Sequence, residues 1–204
     1  MRLYNKIKNK INRYWNKSVE IPSYEVKRTT LNDYKEKYGL DVLVETGTFM
    51  GDTVEYFKNS FKKIVSIELA EDLAKKAQKR FENNDNVKII KGDSGEVLKD
   101  IVKEVNEPIL FWLDGHYSSE FFIGNDYIKT AKTEVNTPVE EELRTILACR
   151  EDHVILIDDA RLFNGTDDYP TIDKVRKMVK KSGKSYKVLV NNDIIRIAPH
   201  NKIV

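Results

Sequence analysis

Between residues 41 and 181 short β-branched runs alternate with amphipathic helical stretches, and this alternation narrows the choice of fold more than any other feature of the chain. The apolar runs are "DVLVE" (41 to 45), "KIVSIE" (63 to 68), "VKII" (87 to 90), "PILFWLD" (108 to 114) and "HVILID" (153 to 158). Between them, helical spacing predicts helices from Asp52, from Glu71 to Phe81, from Ser94, from Pro138 to Cys149 and near Ile172 to Lys181. Strand, helix, strand at this spacing means a parallel sheet wound with helices on both faces. The end of the chain differs. "YKVLV" and "IIRIA" are separated only by "NND", too short for a crossover, so the α/β sheet is expected to be doubly wound, mostly parallel, and closed by an antiparallel C-terminal hairpin.

Upstream of this core the sequence divides into a basic leader and linker, residues 1–23, and one domain, 24–204. The linker "SVEIPS" contains a proline, and Thr29 to Tyr38 reads as a helix stopped by Gly39. Residues 117–137 lack clear periodicity and are long for a connection, which fits either a lid or a poorly ordered segment. With 40% apolar residues, ten Tyr and eight Phe, the composition excludes a disordered chain. The lone Cys149 forms no internal disulfide and reads as a small apolar core residue; a reducing, cytoplasmic compartment is expected. No apolar run is long enough to span a membrane, and the N-terminus lacks the apolar centre of a secretory signal.

Charge is unevenly placed. Six cations and no acid precede residue 18, so a net charge of +2 leaves −4 for the remainder. In "MRLYNKIKNKINRYWNK", Leu3, Ile7, Ile11 and Tyr14 or Trp15 recur at helical spacing with lysines between them. Such a helix either packs its stripe on the domain or lies peripherally on an anionic membrane surface. Nucleic acid is not an expected partner, because the basic patch does not extend into the body.

Ligands of a doubly wound sheet bind beyond the carboxyl ends of its strands, where the winding reverses. The first such loop is "VETGTFMGDT", with Glu45 closing the strand and glycines at 47 and 51. A dinucleotide loop needs a small middle residue so that a pyrophosphate can approach the backbone; Phe49 stands there instead, and Glu45 would oppose a phosphate while suiting an ammonium. Glu68, 17 residues beyond Gly51, ends the second strand where an acid can accept both ribose hydroxyls. In "KGDSGE", Asp93 is placed to accept from an adenine amino group and Ser94 to cap the next helix. An amine, a ribose and an adenine together describe S-adenosylmethionine.

At these residues the chain resembles the class I S-adenosylmethionine-dependent methyltransferases. More narrowly, "VETGTFMGDTVE", "SIEL", "GDSGEVL", "LDGHYS", "NTPVEEEL" and "LIDDARLF" resemble a bacterial group often found with surface-glycan genes. The resemblance covers about residues 25 to 182 and implies a seven-stranded, Rossmann-like sheet with its last hairpin antiparallel. It also implies that Glu45, Gly47 and Gly51 line the methionine part of the cofactor, with Thr48 and Thr53 of the same loop among the cofactor-binding residues. By the same resemblance Glu68 holds the ribose, and Asp93 with Ser94 meets the adenine. Phe49 departs from the usual glycine and would narrow the pocket.

The fourth and fifth strands, expected as neighbours about 4.8 Å apart, both end in acid: Asp114 on one, Asp158 and Asp159 on the other. Crowded carboxylates need a cation or a proton, and an all-oxygen site favours Mg²⁺ or Mn²⁺. The alternative is that one of the pair only caps or pairs with Arg161. A looser resemblance, to metal-dependent O-methyltransferases of the catechol type, rests on the same acids. Asp114 is therefore taken as catalytic together with His116, either as a cofactor-side carboxylate or as a metal ligand. His116, two residues past Asp114, is the candidate base, since an imidazole with a pKa of about 6.5 removes a hydroxyl proton at neutral pH. With a metal present it would instead orient or ligate. Tyr117, Lys132 and Arg161 are candidates for contacting a small-molecule or glycan-related acceptor, with "YIKTAKTE" (127 to 134) as a lid. Two rivals remain: a nicotinamide dehydrogenase, and a non-catalytic nucleoside-binding module docked through its N-terminal helix.

Overall fold

Successive strand residues point to opposite faces, so an apolar run without polar interruption must be covered on both sides. Strands β1 (Val42–Thr46), β4 (Ile109–Leu113) and β7 (Val154–Ile157) are buried along their whole length, and helices do lie on both faces. The structure, a computed structural model, describes residues 21–115, 120–123, 126–129 and 136–200.

Helix α1 (Tyr24–Tyr38) leads into β1, α2 (Asp52–Phe57), β2 (Lys63–Glu68), α3 (Glu71–Arg80), β3 (Val87–Lys91), α4 (Ser94–Glu104) and β4. A two-stranded antiparallel element, β5 (Glu120–Ile123) and β6 (Asp126–Lys129), follows; then come α5 (Val139–Leu147), β7, α6 (Ile172–Lys181), β8 (Tyr186–Asn191) and β9 (Ile194–Pro199). The main sheet has seven strands in the order β3-β2-β1-β4-β7-β9-β8. Five are parallel, and β9 runs antiparallel between β7 and β8. The two-residue tip of the final hairpin holds Asn192 and Asp193 at φ 51° and 57°, the left-handed pair that matches the twist of the flanking strands.

One core layer joins Val42, Val44, Phe111, Leu113 and Ile157 to Leu98 of α4, Leu143 and Ile146 of α5 and Val175 of α6. The other joins Leu43, Leu110, Trp112 and Leu156 to Leu31 of α1, Val54 and Phe57 of α2 and Ala77 of α3. Two local readings need correction. Helix α1 begins at Tyr24 rather than Thr29, because Ser23 caps it through Oγ and Val26 N–H. Within 117–137, an expected loop, β5 and β6 form a hairpin. Leader residues 1–17 lie outside the described residues, and among those described no helix is long and apolar enough to cross a membrane.

Candidate functional site

The sheet order places the reversal of winding between β1 and β4, and every acid singled out in the sequence lies along that carboxyl edge. Alternation then sorts the side chains. Glu45 follows Leu43 onto the face covered by α1, α2 and α3, whereas Thr46 follows Val44 onto the face covered by α4, α5 and α6.

Glu45 is 2% exposed and lies beneath the first loop. Ser66 Oγ donates to its Oε2 at 2.6 Å, and Thr48 Oγ1 is 2.6 Å from Ser66 Oγ, so Thr48 must donate there because Ser66 has a single proton. Burial pushes the Glu45 pKa up to about 8, against hydrogen bonds from Ser66 and Thr53 that favour the ionised form. The predicted cofactor residues Glu45, Thr48 and Thr53 therefore form one connected network under the loop. Above it the backbone turns through left-handed residues at Gly47 (φ 86°), Phe49 (φ 49°) and Gly51 (φ 79°). Gly47 is required for packing: a Cβ there would sit 2.6 Å from the Asp114 carbonyl oxygen. Phe49 takes a conformation that glycine adopts at no steric cost, and its N–H donates to Glu68 Oε2 at 2.8 Å.

Glu68 Oε1 accepts from Ala70 N–H at 2.8 Å, and Leu69 N–H also favours the ionised form, so backbone donors hold this carboxylate at the end of β2. Burial raises the Glu68 pKa, opposed by these backbone donors. Asp93, not Ser94, is the N-cap of α4, accepting from Gly95 N–H at 2.9 Å, because it is the residue with extended backbone. Ser94 is instead the first helical residue and is buried.

The second acid group lies across the crevice. Leu113 and Ile157 are register partners, so Asp114 and Asp158 leave neighbouring strands side by side. Following Leu156 by alternation, Asp158 faces α1, where Lys27 forms an ion pair with its Oδ2. Burial acts to lower the Lys27 pKa, but Asp158, Asp114 and Asp159 more than offset it, and the ammonium stays charged. For Asp158, burial and Asp114 push upward while Lys27 pulls down. Asp159 turns away through φ 57° and accepts from Arg161 Nη1 at 2.6 Å; the same Nη1 pairs with Asp193 at the tip of the β8–β9 hairpin. Arg161, proposed from sequence to meet an acceptor, thus has its charge taken up by two carboxylates.

This arrangement does not suit a divalent metal. Among the described residues no three acidic, His or Cys side chains converge as a metal-binding group, and the two adjacent aspartates already carry Lys27 and Arg161. The predicted residues His116, Tyr117 and Lys132 lie outside the described residues.

Sequence reasoning missed Glu142. It lines a small cavity with Asp114, Gly115, Thr137, Asp158, Phe163 and Tyr169, between the ends of β4 and β7. The side chain is fully buried, and neither carboxylate oxygen has a hydrogen-bond partner among the described residues. Ser94 and Thr46 hydroxyls approach and favour its ionised form without completing a hydrogen bond, while burial pushes its pKa up to about 7. The signal was available: in "VEEEL" the apolar stripe runs through Val139, Leu143 and Ile146, and position 142, three beyond 139, falls inside it. Glu140 and Glu141 lie outside that stripe and pair with Arg144, Lys174 and Lys99. Lys27 was equally legible, one turn before Leu31 on the buried face of α1, once the helix starts at Tyr24.

No protein-family model and no curated protein sequence matches the chain. Its architecture is nonetheless shared. It is similar to the O-methyltransferase from Bacillus cereus in complex with SAH, at 17% identity over 88% of this chain and 83% of that one, with a TM-score of 0.55. It is also similar to the O-methyltransferase TomG from Streptomyces achromogenes in complex with SAM, at 16% identity over 88% and 82%, with a TM-score of 0.58. The SAH-bound Podospora anserina methyltransferase PaMTH1 is similar at 16% identity over 89% and 81%, with a TM-score of 0.55. At these identities the likeness is one of fold. The chain has the Rossmann-like methyltransferase fold, with its seven-stranded, mostly parallel sheet and reversed β9.

Proposed function

We propose that this chain is a class I S-adenosylmethionine-dependent methyltransferase that acts on an oxygen of a small or glycan-related acceptor. The observation that carries the reading is the β1 loop. Three left-handed residues wrap it against the end of β4, and backbone N–H donors hold the Glu68 carboxylate beside it. The solved structures of like fold with SAH or SAM bound support the choice of ligand. A dinucleotide cofactor is disfavoured because Phe49 stands where a pyrophosphate would need bare backbone.

When bound, S-adenosylmethionine supplies a methyl group on a sulfonium, a good leaving group, so the chain's own residues mainly align and deprotonate. Glu68 takes the ribose hydroxyls, and Asp93 with Ser94 borders the adenine. Glu45, Thr48 and Thr53 hold the loop that carries the methionine end. Asp114 stands on the cofactor side of the acceptor cavity. His116 removes the acceptor proton, and Glu142 offers a hydrogen-bond acceptor at the ends of β4 and β7. Tyr117 and Lys132 are the further residues assigned to acceptor contact. Residues 1–17 give the chain a peripheral contact with anionic lipid.

Calorimetric titration of S-adenosylhomocysteine, with Mg²⁺ and with chelator, tests this reading. One site per chain, unchanged by chelator, is expected. No binding would overturn it, and preferential binding of NAD would establish the dehydrogenase rival.

A further inference from the structure

Acids ending adjacent strands must be balanced, and the chain supplies a cation of its own for that purpose. Asp114 and Asp158 emerge side by side from β4 and β7, and Asp159 follows at once. Asp158 is 3% exposed, too buried for solvent to screen its charge. The group that meets it comes from a different layer, the first turn of α1, and the Lys27 stem is itself largely buried, with 18% of the side chain exposed. Its ammonium interacts favourably with Asp158, Asp114 and Asp159 together.

We propose that the Lys27 ammonium is the resident cation of this carboxylate rim, occupying the place a divalent metal would otherwise fill, and that methyl transfer by this chain is metal-independent. In its catalytic part this deepens the methyltransferase reading and rests on it. Three features agree. Lys27 sits on the buried stripe of α1, one turn before Leu31, so packing of the helix delivers the ammonium without a flexible arm. Asp158 Oδ1 is taken by the Asp159 N–H at 2.9 Å and Oδ2 by Lys27, so both oxygens already have donors. Asp159 is turned to Arg161, whose position is fixed in turn by Asp193 through a 2.7 Å bond from its backbone N–H. Lys27 acts here as a positioning residue: it sets the direction of Asp158 and the charge of the small cavity that Asp158 lines.

The proposal predicts that removing the ammonium creates a metal site. Mn²⁺ is titrated into the full chain, with and without S-adenosylhomocysteine, and bound metal is read as loss of the free-ion electron paramagnetic resonance signal. The wild-type chain is expected to take up no stoichiometric Mn²⁺ at about 1 mM. Lys27→Met, which keeps the stem and removes the charge, should bind Mn²⁺ at least about tenfold more tightly. Lys27→Arg should behave as the wild type, and adding Asp158→Asn to Lys27→Met should abolish the gain. One Mn²⁺ per wild-type chain at micromolar concentration, lost on Asp158→Asn, would overturn the proposal, as would a folded Lys27→Met chain with no gain. If Lys27→Met does not fold, the wild-type titration decides alone. Failure of S-adenosylhomocysteine to bind in the same samples removes the methyltransferase reading and leaves the metal result standing.

Discussion

On the β1–β2 side of the crevice the acids are held by neutral donors, whereas on the β4–β7 side they are held by charges or, at Glu142, only approached by the Ser94 and Thr46 hydroxyls. Glu45 accepts from Ser66, Glu68 from backbone N–H groups, and Asp93 from Gly95 N–H. Across the sheet Asp158 faces Lys27, Asp159 and Asp193 share Arg161, and Glu142 has no hydrogen-bond partner among the described residues. Neutral donors fix geometry whatever the balance of ionisation, so the first side is preorganised. The second depends on charge, and its remaining acceptor capacity is what an incoming ligand can use.

The sharpest way to break the preorganised side is Gly47→Ala. A Cβ would sit at 2.6 Å from the Asp114 carbonyl oxygen at φ 86°, so a loss of about 3 kcal/mol or more is expected in urea unfolding, together with loss of S-adenosylhomocysteine binding.

The charged side is tested next through Glu142. Its folded pKa is raised, so the native state holds a proton that the unfolded chain has released. The stability it contributes is fully present below about pH 4.5 and is lost as pH rises toward about 7, up to about 3 kcal/mol. Glu142→Gln should therefore unfold at higher urea than the wild type at pH 8 and show a flatter decline between pH 5 and 8. Equal slopes would mean that the carboxylate has a partner when the chain is in solution.

Glu68→Ala removes the acceptor for Phe49 and Ala70 N–H groups, and an affinity loss for S-adenosylhomocysteine of about tenfold, ~1.4 kcal/mol, is expected by calorimetry. Phe49→Gly has the smallest expected effect, within about 1 kcal/mol of wild type in urea unfolding, because relief at φ 49° is offset by backbone entropy and lost ring contacts. A larger loss would make the Phe49 ring a structural element of the loop.

The strand pattern made the sheet legible because period and length survive any packing: the expected runs at 63–68 and 172–181 match β2 and α6. The final hairpin was equally readable, since three residues permit no crossover. At the site, sequence placed the acids at strand ends but could not say what each would meet. Ser94 as a cap failed because the choice between adjacent cap-forming residues depends on which one has extended backbone. Glu142 hid among three consecutive glutamates, and Lys27 lay between the linker ending at Ser23 and the helix expected from Thr29.

By itself, then, the sequence determined the class of sheet, the reversal of its last strand and the line of carboxylates along one edge, all consequences of local periodicity and loop length. Only the tertiary structure decided which face each carboxylate shares with which helix. Strand alternation sent Asp158 toward α1 and Thr46 toward α5, bringing together Lys27 and Asp158, 131 residues apart in the chain, by packing that no local pattern encodes.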